Sequence, residues 1–303
     1  MKVLFFTNSI WSLSSLYQLS ITTQLGGVVV TERDAKKRTE LVEAMESQKW
    51  DIIPWSNDGD LVQIIQDQKI DLGLMLGFKK LIPKHIIDAF PKGVINIHFG
   101  SLPKYAGPDP LFWTLKNGEK QNEITFHQID ENWDSGIALS KKIVQIFPGE
   151  NYGLLGARLA NTVALELPRL LTSIESGLDG IGDIPINPKP LGKPTGEEIR
   201  IDWRKQSSQE IEYLVNACNP AYGGAITSFR GGIIRIMEVS PADMDNQGAF
   251  SPGSIIYSDG TYGVFVLCSD FKCLRINILK VDQSYISSQK FAALGVTTKD
   301  ILV

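Results

Sequence analysis

Short apolar runs alternate with segments of helical period through the first hundred residues of this 303-residue chain. The apolar runs lie at 3–6, 27–30, 52–54, 72–76 and 94–98, and helical spacing of apolar residues is found near 13–25 and 35–47. Strands that alternate with helices are typical of a parallel sheet covered on both faces. The pattern therefore predicts an α/β fold with a doubly wound, mostly parallel sheet, in which ligands bind beyond the carboxyl ends of the strands.

The pattern changes after residue 123, where two predicted strands at 123–129 and 137–146 bracket a polar loop and a helix follows at about 152–176. Residues 177–196 are rich in Gly and Pro, which predicts a linker. A short helix near 208–216 and five β-rich runs at 225–229, 233–239, 253–257, 263–268 and 274–281 then predict a small β-barrel or sandwich. We expect a first domain at 1–182, a linker at 183–200 and a smaller β domain at 201–303.

Composition excludes several classes of protein. The net charge of -4 gives no global attraction to nucleic acid, so such a partner would need a local basic patch. Cys218, Cys268 and Cys273 are an odd number without paired spacing, which predicts a reducing compartment and no structural metal. The first apolar run stops at Thr7, too early for a signal peptide, and no stretch approaches the roughly 20 apolar residues of a membrane span. We expect a cytoplasmic protein without a membrane partner.

The clearest candidates for catalytic residues lie at the end of the strand at 94–98. Asn96 and His98 are two residues apart, so strand geometry puts both side chains on one face. Asp134 follows in the polar loop after the next strand, so the three side chains could converge at the carboxyl edge of the sheet. Spacing alone also fits a structural hydrogen-bonding pair at a strand end.

Several motifs around these residues resemble the signature of the folate-dependent formyltransferases. The resemblance rests on Asn96-Ile-His98, on Ser101-Leu-Pro103, on Gly107, on residues 127–136 and on the tract Leu-Gly-Phe-Lys-Lys-Leu-Ile-Pro at 76–83. Beyond the linker, residues 200–203 and 219–225 resemble the start of the C-terminal domain in the members that act on methionyl-tRNA. The resemblance covers nearly the whole chain, and it implies a Rossmann-like catalytic domain followed by an OB-like β-barrel.

This resemblance implies transfer of a formyl group from 10-formyltetrahydrofolate to an amine. Asn96 would donate a hydrogen bond to the developing oxyanion, and His98 would assist the oxyanion or relay a proton. Asp134 would orient His98 or a water molecule and help to remove the proton of the amine. A Ser-His-Asp nucleophile using Ser101 is disfavoured because no Gly-x-Ser-x-Gly elbow is present, and the first turn lacks the Gly-x-Gly-x-x-Gly of dinucleotide sites.

The resemblance also assigns binding residues. Folate binding is assigned to Gly77, Phe78, Lys80, Leu81, Ile82, Asp130 and Trp133, and acceptor binding to Ser101, Tyr105 and Gly107. The pteridine is expected between the backbone of residues 80–82 and the loop 130–134, with the side chains of Phe78 and Leu81 as apolar walls. We expect His127, on the strand before that loop, to brace the loop by a hydrogen bond, and His85 to be a surface or structural residue.

The identity of the amine is less constrained than the reaction. Residues 201–303 hold nine Lys and Arg against ten Asp and Glu, whereas a tRNA-binding domain is expected to show a basic face. After the second strand the chain has a compact helix start, and we expect its cations Arg33, Lys36, Lys37 and Arg38 to form a solvated face. The loop 104–110 lacks the Arg and Trp common in the tRNA enzymes.

These observations favour a small or carrier-bound amine, such as an amino sugar, over initiator tRNA, which stays open as an alternative acceptor. A formyltetrahydrofolate hydrolase, in which water replaces the amine, is a second class. A non-catalytic binding module is a third, and the intact set of Asn96, His98 and Asp134 argues against it.

Overall fold

The computed structural model describes residues 1–22, 24–37, 39–177, 180–184, 189–244 and 250–303. Arg38 and residues 185–188 of the predicted linker lie outside the described residues. The first of two compact units comprises Met1–Pro110, Gln121–Val144 and Gly156–Leu191, and the second Leu111–Lys120, Gln145–Leu155 and Gly192–Val303. Two short segments from the first half of the sequence therefore group with the second unit, and the predicted boundaries stay a prediction.

The first unit is built on an eight-stranded sheet in the order β3-β2-β1-β4-β5-β6-β7-β8. The strands are β1 (Lys2–Thr7), β2 (Gln24–Thr31), β3 (Ile52–Trp55), β4 (Leu72–Leu76), β5 (Val94–His98), β6 (Gln121–Gln128), β7 (Gly136–Gln145) and β8 (Gly182–Ile184). β1 to β5 pair in parallel, and β6 pairs antiparallel to β5. The predicted α/β fold with a mostly parallel sheet is confirmed, whereas β8 was not predicted and begins just before the linker expected at 183–200.

Helices connect these strands. They are α1 (Leu13–Thr22), α2 (Glu32–Lys37), α3 (Glu40–Ser47), α4 (Asp58–Asp67), α5 (Lys84–Ile87), α6 (Pro110–Lys116) and α7 (Tyr152–Glu175). The single helix predicted at 35–47 is two helices, because the Thr39 side chain accepts a hydrogen bond from the Val42 amide and caps α3. A threonine N-cap has extended backbone angles, so it separates the two helical segments.

The apolar core of the first unit explains why the central strands have uninterrupted apolar sequences. All five residues of β4 and of β5 are buried, as expected for parallel strands covered on both faces. Phe6, Trp55 and Phe78 pack together, with the Trp55 and Phe78 rings stacked at a centroid distance of 5.8 Å. Full burial of one such side chain contributes about 1.5–3 kcal/mol, so this core holds the ends of β1, β3 and β4 in a fixed arrangement.

The second unit contains a six-stranded antiparallel sheet in the order β11-β12-β13-β10-β9, with β14 paired to β13. Its elements are α8 (Ser208–Cys218), β9 (Ala225–Phe229), β10 (Gly232–Ala242), β11 (Ile255–Asp259), β12 (Gly263–Leu267), β13 (Cys273–Val281), β14 (Ser284–Ser287) and α9 (Ser288–Ala293). Leu302 pairs with Phe229 at the end of β9, and Ile301 pairs with Ser254 just before β11. The C-terminal residues thus bridge the two edge strands. The five predicted strands are confirmed, while β14 and α9 were not predicted.

Two further expectations concern the cysteines and the membrane. All three cysteines are buried, and Cys273 begins β13 while Cys268 directly follows β12. Burial raises the pKa of the Cys268 thiol to about 12, so this side chain is a packed thiol and not a nucleophile. Within the described ranges, no helix has both the length and the apolar character needed to span a bilayer.

Candidate active site

His98 and Asp134 form a buried pair on the first unit. His98 Nδ1 lies 3.4 Å from Asp134 Oδ1, and His98 Nε2 lies 2.8 Å from the carbonyl oxygen of Tyr105. Both ring nitrogens of His98 therefore face oxygen atoms of the first unit. Two of the three predicted catalytic side chains are thereby brought together.

The conformation of the loop before β7 aims Asp134 at this position. Asp134 adopts a φ of 51°, which aspartate tolerates better than most residues, and its Oδ2 accepts a hydrogen bond of 2.6 Å from the Gly107 amide. Gly136 has a φ of 102°, and a Cβ there would lie 2.2 Å from the Gln128 carbonyl oxygen. Only glycine fits this close approach, so the Asp-Ser-Gly sequence fixes the direction of the Asp134 side chain.

Asp130 belongs to the same loop and stabilises it by hydrogen bonds to other loop residues. Its Oδ1 accepts hydrogen bonds from the Asn132 amide at 2.7 Å and from the Ser135 hydroxyl at 2.6 Å. An aspartate that bonds the backbone two residues further on forms a local turn. Asp130 therefore supports the loop that carries Asp134, and its predicted contact with folate stays a prediction.

Asn96 faces His127 across the β5–β6 pair. The two residues are directly opposite in register, and Asn96 Nδ2 lies 3.1 Å from His127 Nε2. On the other side of the ring, Nδ1 lies 3.0 Å from the Ser135 carbonyl oxygen and 3.2 Å from that of Gln128. The hydrogen bond to Ser135 confirms the expected bracing of the loop by His127, and the contact with Asn96 adds a role that the sequence did not suggest.

The environment keeps the His127 ring neutral. Burial is the largest cause that lowers its pKa, to about 4, and the neighbouring His98 lowers it further, while Asp134 acts in the opposite direction. At neutral pH the ring therefore carries one proton. Two carbonyl oxygens face Nδ1, so that proton lies on Nδ1 and Nε2 is a hydrogen-bond acceptor.

The loop after β4, which holds most of the predicted folate contacts, points some side chains inward and others outward. The Phe78 side chain is only 7% exposed and stacks on Trp55, and its role as a wall of the pterin slot stays a prediction. Ile82 is also buried in the core. Leu81 is 38% exposed, as an apolar wall requires.

Lys80, Gly77 and Trp133, the next three predicted folate contacts, each have different neighbours in the structure. The Lys80 ammonium lies 3.6 Å above the Trp55 ring and 3.7 Å from Asp58 Oδ1, so its side chain folds back onto the unit. Gly77 has a φ of 63°, and a Cβ there would lie 2.6 Å from that of Ser9. Trp133, in the loop before β7, is 51% exposed. Their roles in folate binding stay predictions.

The loop from Ser101 to Gly107, the predicted acceptor region, is anchored at both ends. The Tyr105 amide donates to the Ser101 carbonyl at 2.8 Å, the Tyr105 side chain is buried, and the Tyr105 carbonyl accepts from His98. Gly107 has a φ of 120°, and a Cβ there would lie 2.2 Å from the Leu191 carbonyl oxygen. The loop therefore connects His98 to Asp134 through its own backbone.

Polar side chains on β6 and β7 also support this loop, and sequence reasoning missed them. The Thr125 hydroxyl donates to the Gly100 carbonyl at 2.9 Å, and Lys141 pairs with Glu123 at 2.9 Å and reaches the Leu102 carbonyl at 3.4 Å. Glu123, Thr125 and His127 are spaced by two residues on one strand. That alternation was visible in the sequence and could have indicated a polar strand face opposite Asn96 and His98.

Sequence profiles and individual relatives of this chain all point to one protein family. Residues 21–171 match the sequence profile described as "Formyl transferase", and residues 193–293 match "Formyl transferase, C-terminal domain". The protein named methionyl-tRNA formyltransferase in Geobacter metallireducens is 31% identical over 238 residues, which are 77% of this chain and 73% of that protein. The protein of the same name in Solibacter usitatus is 36% identical over 186 residues, 60% of this chain and 58% of the relative's length.

Solved structures share the fold at lower identity. A variant of HypX from Aquifex aeolicus has a TM-score of 0.68 at 17% identity, with 98% of this chain and 48% of that chain covered. WlaRD, described as a sugar 3N-formyl transferase and crystallised with dTDP and 5-N-formyl-THF, has a TM-score of 0.67 at 16% identity, with 90% of this chain and 96% of that chain covered. At these identities the likeness shows the fold alone.

Proposed function

Because the chain belongs to the formyltransferase family, we propose that it transfers a formyl group from 10-formyltetrahydrofolate to a primary amine at Asn96, His98 and Asp134. The observation that carries this proposal is the buried His98–Asp134 pair at 3.4 Å, two residues along β5 from Asn96. A buried ionisable pair costs desolvation energy and stabilises little, so its presence at the end of a strand favours a chemical role.

The side chains match the charges that develop during the reaction. When bound, the reduced folate supplies a formyl group on N10, and attack by an amine makes the formyl oxygen negative. The Asn96 amide nitrogen carries two protons, and since one is directed at His127, the second is available for that oxygen. Deletion of such a donor typically costs about 3–4 kcal/mol of transition-state stabilisation.

His98 and Asp134 manage the protons and the remaining charge. The His98 ring is held between Asp134 and the Tyr105 carbonyl, where it assists the developing oxyanion or relays a proton. The Asp134 carboxylate takes the proton lost by the attacking amine, directly or through water. A proton is then returned to N10 of the folate, which is the leaving nitrogen. General-base assistance of this kind contributes roughly 100- to 10,000-fold. No covalent intermediate with the protein is needed.

Two exposed apolar side chains support the assignment of a pterin site. Leu81 and Trp133 are large apolar side chains that are substantially exposed, on the loops after β4 and before β7. Exposed apolar surface next to buried polar groups is typical of sites that bind a flat heterocycle. The fold supports the same assignment, because WlaRD and a further HypX structure were crystallised with folates.

We favour a small or carrier-bound amine as the acceptor. In the second unit, Arg230 pairs with Asp300, Lys205 pairs with Asp202, and Arg235 donates to two backbone carbonyls. Cations that are engaged within the unit are less available for tRNA phosphates, whose neutralisation dominates affinity. The sugar N-formyl transferase WlaRD, whose fold covers 90% of this chain, supports an amino sugar as the model acceptor.

Initiator tRNA is the second candidate acceptor. It is favoured by the names of the sequence relatives in Geobacter metallireducens and Solibacter usitatus, both methionyl-tRNA formyltransferases. The cations Arg33, Lys36 and Lys37 on α2 are exposed and could contact phosphates. A tRNA acceptor predicts strong dependence of the rate on salt, whereas a small amine predicts weak dependence.

The test is incubation with 10-formyltetrahydrofolate and, separately, methionyl-tRNA, a nucleotide-linked amino sugar and an aminoacyl carrier protein, with mass detection of the products. A formylated small or carrier-bound amine supports the preferred acceptor, and formyl-methionyl-tRNA supports the second. Free formate without a formylated amine would instead identify a hydrolase. Unchanged turnover in both His98→Ala and Asp134→Asn would overturn the site assignment.

A further inference from the structure

His127 is a fully buried side chain on β6 that contacts Asn96 and the Asp134 loop but lies outside the three residues assigned to the chemistry. We propose that His127 is a positioning residue that fixes the orientation of the Asn96 amide, so that an N–H points at the formyl oxygen. This inference rests on the proposed function. It concerns how the donor is held, not whether the reaction occurs.

The first step is the position of the single proton on the ring. Nδ1 lies 3.0 Å from the Ser135 carbonyl oxygen and 3.2 Å from that of Gln128, and carbonyl oxygens only accept hydrogen bonds. Nδ1 must therefore carry the proton. A pKa lowered to about 4 by burial means that no second proton is present at neutral pH.

The second step is the effect on Asn96. A neutral ring with its proton on Nδ1 has a lone pair on Nε2, and that lone pair lies 3.1 Å from Asn96 Nδ2. With the amide rotated by 180°, the Asn96 oxygen would face the Nε2 lone pair, and two buried acceptors would lie against each other without a proton between them. Because a buried polar group without a hydrogen-bond partner is costly, the amide is held in one orientation.

The third step links this orientation to the reaction. In the held orientation one Asn96 N–H is used by His127, and the other is presented to the site. In the opposite orientation the site would face a carbonyl oxygen, which repels a developing oxyanion. A preorganised donor stabilises the transition state without reorganisation, so correct orientation is worth much of the donor's total contribution.

Two substitutions to amide side chains separate this role from bracing of the loop. His127→Asn places an amide N–H near the position of Nδ1, so it preserves the hydrogen bond to Ser135 but provides no acceptor for Asn96. His127→Gln places an amide oxygen near the position of Nε2, so it preserves the acceptor for Asn96 but loses the donor to Ser135. Phe126→Leu is the control, because this buried neighbour on β6 faces the opposite side of the sheet.

The experiment measures kcat and KM for these three variants, and repeats His127→Asn in an Asn96→Ala background. We expect His127→Asn to lower kcat about tenfold to a hundredfold with KM changed less than about twofold, and His127→Gln to stay within about threefold of the parent. In the Asn96→Ala background, His127→Asn should cause no further loss. An equal loss in both backgrounds, or a His127→Gln variant as slow as His127→Asn, overturns the inference. Phe126→Leu should keep the parent kcat.

A spectroscopic measurement keeps this inference distinct from the proposed function. ¹⁵N NMR of histidine-labelled full-length protein at neutral pH reports which ring nitrogen of each histidine carries a proton, and His127→Gln assigns the His127 signals. A protonated Nδ1 with a bare Nε2 supports the inference, and a proton on Nε2 overturns it. If the parent protein formylates no amine, the proposed function fails, and this measurement still decides how Asn96 is held.

Discussion

The buried polar cluster around β5 and β6 of the first unit differs in chemistry from a set of buried hydrogen bonds in the sheet region of the second unit. In the second unit the Trp203 indole N–H donates to the Thr227 hydroxyl at 2.9 Å, that hydroxyl donates to the Val303 carbonyl at 3.2 Å, and the Val264 amide donates to the Ser288 hydroxyl at 2.6 Å. Each group is neutral and each donor faces an acceptor. Such bonds stabilise a fold at low cost.

In the first unit the buried polar groups around β5 and β6 include the ionisable side chains of His98, His127 and Asp134. His98 faces Asp134, and burial lowers the pKa of His127 to about 4. Ionisable groups cost more to bury than neutral ones, and well-packed apolar residues of the same volume would often be as stable. The difference indicates that the polar cluster around β5 and β6 serves chemistry, whereas the three neutral bonds of the second unit serve stability.

The sharpest test of this comparison replaces one carboxylate in each unit. Asp134→Asn keeps the shape of the side chain but removes the charge and the proton acceptor, so we expect turnover to fall about 100- to 10,000-fold. Asp259→Asn is the matched change in the second unit, where the Tyr257 hydroxyl donates to Asp259 and holds the pKa of that carboxyl below its usual range. Steady-state kinetics of both variants provide the measurement. Similar losses in both would remove the distinction between the units.

The second test uses the pH dependence of stability. Because the pKa of His127 is about 4 in the folded protein and about 6.5 when unfolded, the unfolded chain binds more protons between these values. Stability is therefore full above about pH 6.5 and falls as the pH decreases toward 4, by about 3 kcal/mol in total from this residue. Urea unfolding of the parent and of His127→Gln at several pH values measures the free energy of unfolding of each. The stability difference between the two should change across this window, and a constant difference contradicts the prediction.

The third test addresses the neutral bonds of the second unit. Thr227→Val keeps the volume but leaves the buried Trp203 N–H without its acceptor, so we expect a loss of about 1–3 kcal/mol in the free energy of unfolding. Thr227→Ser keeps the hydroxyl and loses one methyl group, which costs about 1 kcal/mol. Denaturant melts of both variants, with formyl transfer measured beside them, check the result. A fall in kcat per folded molecule would show that this bond is not purely structural.

Much of the first unit could be predicted from local patterns, because its central strands are buried on both faces and their sequences are uniformly apolar. The placement of Asn96 and His98 on one face follows from strand geometry alone. The direction of Asp134 depends on Gly136 and on a turn stabilised by Asp130, and a polar loop in the sequence does not specify that turn.

Other features depend on contacts between distant residues. The Asn96–His127 bond exists because β5 and β6 pair with these residues opposite each other, and register cannot be read from one strand. Phe78 stacks on Trp55, which lies 23 positions earlier in the sequence. The grouping of residues 111–120 with the second unit is likewise a property of tertiary contacts. Sequence periodicity contains none of this information.

The smallest expected effect concerns two neighbouring lysines of β7. Lys141 pairs with Glu123 and Lys142 pairs with Glu166, all four side chains being partly exposed, so Lys141→Met and Lys142→Met should each change stability by less than about 1 kcal/mol. Of these two lysines, Lys141 alone reaches a carbonyl of the loop between Ser101 and Gly107. If that loop binds the acceptor, Lys141→Met should raise KM for the amine about twofold, and Lys142→Met should leave it unchanged. Equal KM values in the two variants would mean that this loop is held without Lys141, and that the polar face of β6 and β7 acts on the site only through Thr125 and His127.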